Sequence, residues 1–291
     1  MKNFWKKFGW TCLTILPTLI SILAQLGLGI LLSIVFTVIG MLQQGGTAEP
    51  DMELLNAFVM EQATKYSGAL IFFYHIIAII GFGIWFYFGC GRPKFTNPFK
   101  TLRGKCAPAT ILTAFGLCLF ANAFVLVGQY IAPAAIEAYM ELMEAAGLGV
   151  DTFAILASII LAPIGEEILC RGLTWHYAEK IVADMKNRTA AFWIVNCLQA
   201  LMFGVMHMNL IQGMYAFILG LGIGWLRKRY NSLYPAILAH FVVNFSSTYI
   251  VGYPISMLPE TCLSYVLLMV VSIVIIGVGI LLAKEKEIAE A

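Results

Sequence analysis

Charge is scarce in this sequence. Only 12% of its 291 residues are Asp, Glu, Lys or Arg, while 60% are hydrophobic and the mean hydropathy is +0.86. A soluble globular domain has about 25% charged and about 45–50% apolar residues. The shortage excludes a soluble globular chain and implies a polytopic membrane protein, mostly spans and short loops. Motifs of soluble chemistry are missing too. There is no HExxH, no Gly-x-Ser-x-Gly, no phosphate loop and no dinucleotide fingerprint, and no nucleic-acid partner is expected. The seven cysteines form no CxxC and lie mostly in apolar runs, which reads as buried free thiols. The first apolar stretch, Gly9 to Met41, is far longer than the roughly 7–15 residues of a signal-peptide core, so no cleaved leader is expected. The final Glu-Ile-Ala-Glu-Ala carries no lipidation box. No internal repeat is visible, inverted or otherwise.

What is present is a series of apolar runs. At about 20 residues per crossing they predict an all-α transmembrane bundle of about eight spans. These lie within Gly9–Met41, then at Gly68–Gly89, Ala107–Ile131, Thr152–Tyr177, Thr189–Met208, Leu210–Leu226, Ser232–Val251 and Cys262–Ala283. The first run is too long for one perpendicular crossing: it tilts, overshoots the bilayer, or begins as an interfacial segment before Pro17. Met52 to Ala63 predicts a separate amphipathic surface helix. Basic segments (Arg92, Lys94, Lys100, Arg103, Lys105; Arg227 to Arg229; Lys284, Lys286) alternate with acidic ones (Glu49, Asp51, Glu53; Glu137, Glu141, Glu144). By the positive-inside rule both termini face the cytoplasm, and the plasma membrane of a bacterium is the expected location. Three parts follow: residues 1–150 with three spans, a core of four spans over 151–251, and a final span with its tail over 252–291.

The fourth run concentrates the polar anomaly. Fourteen uncharged residues, Thr152 to Gly165, lead into Glu166-Glu167-Ile168-Leu169-Cys170-Arg171. A charged residue at a helix centre costs roughly +2.5 to +3.5 kcal/mol on insertion scales, so an interior-facing functional site is expected. Glu167 and Arg171 are four apart and share a face, while Glu166 points about 100° away. This predicts a bracing ion pair and one carboxylate free to take a proton. Pro163 predicts a kink beside them. The fifth run carries Asn196, Gln199, Phe203 and His207 on one stripe, and the seventh carries His240 and Asn244 one turn apart. His75, alone in the second run, and His176, at the end of the fourth, read as structural. The glycines of the sixth run, Gly220 and Gly224 among them, read as close-packing positions.

In order and spacing, Glu-Glu-xxx-Arg at 166–171, Phe-xxx-His at 203–207 and His-xxx-Asn at 240–244 resemble the three motifs of the CPBP group. That group holds the type II CAAX prenyl proteases and the bacteriocin-processing or self-immunity proteins. The resemblance covers Asp151 to Val251 and implies intramembrane endopeptidase activity on a peptide or membrane-protein substrate within the lipid bilayer. In that reading Glu166 is the general base for a water molecule and His207 helps to polarise it. His240 and Asn244 donate to the developing oxyanion. Glu167 and Arg171 position the helix and Phe203 lines the cavity. No cofactor is favoured. A zinc mechanism with Glu166, His207 and His240 as ligands and Glu167 as base is the alternative. A second class of function also stays open: a non-catalytic immunity scaffold, or a proton-coupled transporter, using the same buried cluster.

Overall fold

The computed structural model describes residues 2–46, 50–91, 97–145 and 151–284. Glu49, Arg92, Lys94 and Lys286, which contribute to the loop charges, lie outside the described residues. Among the described residues there are eleven helices and no strand. They are α1 (Lys2–Gln43), α2 (Met52–Gly89), α3 (Pro98–Thr101), α4 (Cys106–Ile131), α5 (Pro133–Ala145), α6 (Thr152–Ile181), α7 (Arg188–Val205), α8 (Leu210–Tyr230), α9 (Tyr234–Tyr249), α10 (Gly252–Ser256) and α11 (Cys262–Lys284). The protein is a polytopic all-α bundle.

Among the described residues seven helices are long and apolar enough to cross a membrane: α1, α2, α4, α6, α7, α8 and α11. The eighth expected span is α9, which has only 16 residues. At 1.5 Å per residue it is about 24 Å long, short of the roughly 30 Å hydrocarbon core. Pro235 in its first turn and the junction into α10 bound it. It is surrounded by α4, α6 and α8.

Two helices are longer than the apolar runs suggest. α1 continues through Pro17 as one 42-residue helix, about 63 Å at helical rise, so it extends well beyond one bilayer thickness. The separate surface helix expected at Met52–Ala63 is instead the first part of α2, a single 38-residue helix. Asp51 caps it by accepting the N–H groups of Glu53 and Leu54. No proline interrupts Ala63 to Gly68, and Gly68 is used for packing: a Cβ there would overlap the Asp151 carboxylate at the start of α6.

α6 sits at the centre. Half of its most apolar window is buried, against 6% for α1. Its Leu169, Cys170, Leu173 and Tyr177 join Phe203 and Met206, Leu219, Ile223 and Leu226 of α8, and Ala236, Ala239 and Val243 of α9 in one buried cluster. α2 runs alongside in the same direction, touching it at Gly68, at Ile79 against Gly165, and at Phe86 against Gly172. Glu166, Glu167 and Arg171 therefore face protein and not lipid.

α7 and α8 are laced by polar side chains. Asn196 Nδ2 donates to the Leu221 carbonyl at 3.0 Å, and Gln199 Nε2 donates to the Gly220 carbonyl at 2.9 Å and to Asn196 Oδ1 at 2.8 Å. Such bonds need close backbones. A Cβ on Gly220 would lie 2.9 Å from Ala200 Cα, and one on Gly224 would overlap Asn196 Oδ1. Gly224→Ala is expected to destabilise the bundle by about 1–3 kcal/mol through overpacking. Thermal unfolding of the detergent-solubilised protein checks this, and an unchanged Tm would show that the helices can part without cost.

Candidate functional site

Local irregularity in α6 builds the site. Two π-helical stretches, Ala157–Leu161 and Ile168–Thr174, flank the α-helical Ala162–Glu167. π turns inside α-helices often mark functional sites. The first one has an evident cause. The Ala162 N–H bonds five residues back to the Ala157 carbonyl. Pro163 has no N–H to offer the next carbonyl, that of Ser158. Asn244 on α9 fills the vacancy: its Nδ2 donates to Ser158 O at 2.7 Å. The kink expected at Pro163 thus takes the form of a π turn with a freed acceptor.

The two adjacent glutamates have different surroundings. Glu167 is fully buried, and its Oε1 accepts from Arg171 Nη1 at 2.9 Å and from His240 Nδ1 at 2.9 Å. Arg171, also fully buried, donates through Nη2 to the Gly220 carbonyl at 3.3 Å. Glu166 has 15% of its side chain exposed, and its contacts are longer. Its Oε1 is 3.4 Å from His75 Nε2, and its Oε2 is 3.9 Å from His240 Nε2. His207 lies within electrostatic reach of the same carboxylate. His240 therefore bridges the carboxylates, with Nδ1 on Glu167 and Nε2 towards Glu166.

Phe203 is the hub beneath these groups. The Arg171 guanidinium lies 4.4 Å above its ring, a cation–π distance. His207 and His240 both meet it edge to face, at centroid distances of 5.0 and 5.5 Å. His207 Nδ1 is 2.7 Å from the Phe203 carbonyl. A carbonyl only accepts, so Nδ1 carries the hydrogen and Nε2 is the free nitrogen. The structure brings Glu166, Glu167, Arg171, Phe203, His207 and His240 together, with Asn244 one turn from His240 on α9.

His75 joins them, although its own helix gives no sign of it: its turn neighbours are Ile71 and Ile79. The sign available was its type, because an ionisable side chain inside a span is functional by default. His176 stays apart, edge to face on Tyr177 at 5.3 Å. Cys170 is buried with its Sγ 3.8 Å from Met206 Sδ.

The zinc alternative needs three convergent ligands. Among the described residues no group of three or more His, Cys, Asp or Glu side chains is arranged to hold a metal ion. His207 and His240 each have Nδ1 engaged, which leaves Nε2 as the nitrogen either ring offers, and His240 Nε2 sits 3.9 Å from Glu166 Oε2. No step below runs through a metal.

Residues 149–246 match the family model of the Rce1-like type II CAAX prenyl endopeptidases. The matched segment, 98 of 291 residues, contains every member of the cluster except His75. It is similar to the group whose motifs the sequence resembles. No curated protein and no solved structure matches the chain.

Proposed function

We propose that this membrane protein, whose core is similar to the Rce1-like endopeptidases, hydrolyses peptide bonds inside the bilayer with a water activated by Glu166. The observation that carries this reading is the asymmetry of the two glutamates. Glu167 is consumed by Arg171 and His240, whereas Glu166 is more exposed and loosely held among histidines. A base must be reachable and able to change its protonation; a brace must not.

The water oxygen attacks the scissile carbonyl carbon while Glu166 takes one of its protons. His207 Nε2 accepts the hydrogen bond from the other. The carbonyl oxygen becomes an oxyanion, stabilised by Asn244 through the N–H that Ser158 leaves free and by His240 Nε2–H. To donate there, His240 carries hydrogens on both ring nitrogens, and Glu167 accompanies that cation. The carbon–nitrogen bond then breaks as Glu166 returns its proton to the departing amine. The chemistry is metal-free. The substrate is a peptide or membrane protein presented within the bilayer. The Lys/Arg excess supports cytoplasmic termini, with α9 counted as a crossing.

The test is cleavage of two internally quenched peptides by the purified protein in proteoliposomes. One ends in a farnesylated Cys-aliphatic-aliphatic-X sequence; the other is the same peptide without the lipid. Cleavage of at least one that persists after exhaustive chelation is expected. Cleavage of neither, with or without added Zn²⁺, sinks the reading. Activity lost on chelation and regained only with Zn²⁺ sinks the metal-free step.

A further inference from the structure

His75 is nine-tenths buried and comes from α2, outside the segment similar to the endopeptidases. Its Nδ1 is 2.8 Å from the Ile71 carbonyl, which only accepts, so Nδ1 carries a hydrogen. Its Nε2 faces Glu166 Oε1 at 3.4 Å. That contact closes as a hydrogen bond whenever one proton lies between the two atoms, on either side.

The ring is held from behind. Tyr74 packs edge to face on it at 5.0 Å. The Tyr74 hydroxyl is 2.6 Å from Ser21 Oγ and accepts from Gln25 Nε2 at 3.3 Å, tying this face of α2 to α1. Gly165, the residue before Glu166, lets α2 approach: a Cβ there would sit 3.3 Å from Ile79, one turn beyond His75.

We propose that His75 is the positioning residue for Glu166. By engaging Oε1 it fixes the carboxylate rotamer, so that Oε2, on the His240 side, is the oxygen offered to the reacting water. The three N-terminal spans then supply more than packing: α2 completes the site built by α6, α7 and α9. The inference rests on the reading of Glu166 as the base.

The experiment uses the full chain in proteoliposomes with the two peptides named above. His75→Ala is expected to lower kcat roughly 10–100-fold, the scale of a misplaced catalytic group, with KM unchanged. His75→Gln, whose amide can donate to Oε1, is expected to recover most of that loss. Unchanged kcat in His75→Ala overturns the proposal. A raised KM at constant kcat also overturns it, since His75 would then touch substrate. Equal losses in Ala and Gln variants of wild-type Tm overturn it as well.

A second measurement needs no turnover. In ¹⁵N-histidine-labelled protein the His75 Nε2 resonance, identified by its loss in His75→Gln, should shift in Glu166→Ala. An unmoved resonance means that the pair does not exist, whatever the activity. If wild type cleaves neither peptide but the resonance moves, the hydrolytic reading fails while the His75–Glu166 pairing stands. If His75→Ala does not fold, His75→Gln and the spectrum decide.

Discussion

Glu166→Gln is expected to stop peptide cleavage and to leave the bundle folded. The amide keeps the shape of the carboxylate and can still accept from His75, but it cannot take a proton from water. A positioned general base contributes about 10²–10⁴ to rate, so cleavage of the quenched peptides should fall at least about 100-fold. Stability should barely move. Glu166 makes only the 3.4 and 3.9 Å contacts with His75 and His240, and removing a charge from an apolar bundle relieves desolvation. Initial rates and Tm of the same preparation check both halves. A folded, fully active Glu166→Gln protein would mean that the proton goes elsewhere.

The second large effect falls on stability. Arg171→Met leaves Glu167 buried without its cation, and it removes the bond to the Gly220 carbonyl and the stacking on Phe203. Breaking a buried pair from one side costs about 3–5 kcal/mol. The double variant Arg171→Met/Glu167→Gln removes both charges and should regain most of the lost Tm. Activity should not return with it. His240 Nδ1 would then face an amide oxygen, which can orient the ring but cannot support its cation. If the double variant turns over at the wild-type rate, Glu167 is a brace and nothing more.

Parts of this site are legible in the sequence because they lie close along the chain. Glu167 with Arg171 and His240 with Asn244 are four apart within a helix, where periodicity aligns them, and Phe203 with His207 are four apart although α7 ends at Val205 and His207 sits in the turn after it. Contacts between helices leave no such trace. His240 reaches Glu167 across 73 positions and His75 reaches Glu166 across 91, with only isoleucines one turn either side of His75. The same limit governs helix lengths. The polar stretch around Lys65 to Ser67 looks like a break, yet the hydrogen-bonded ladder of α2 runs through it unchanged. Composition detects a change of solvent, and a helix can cross that change. α9 is the converse: its apolar sequence is continuous, but Pro235 and the junction into α10 bound it at 16 residues.

Close packing sets the depth of neighbouring helices by shape, as the glycine contacts of α2, α6, α7 and α8 do. Pro163 adds a polar restraint. By withholding one hydrogen from its own backbone it leaves a single acceptor, Ser158 O, at one height in α6, and one amide on α9 meets it at 2.7 Å. A slip of one helical turn, about 5.4 Å, would carry Asn244 out of reach. The proline therefore acts as a depth gauge. Together with the His240–Glu167 bond it fixes the level at which α9 presents His240 to the two glutamates and, in the proposed reaction, the plane in which a substrate bond would arrive.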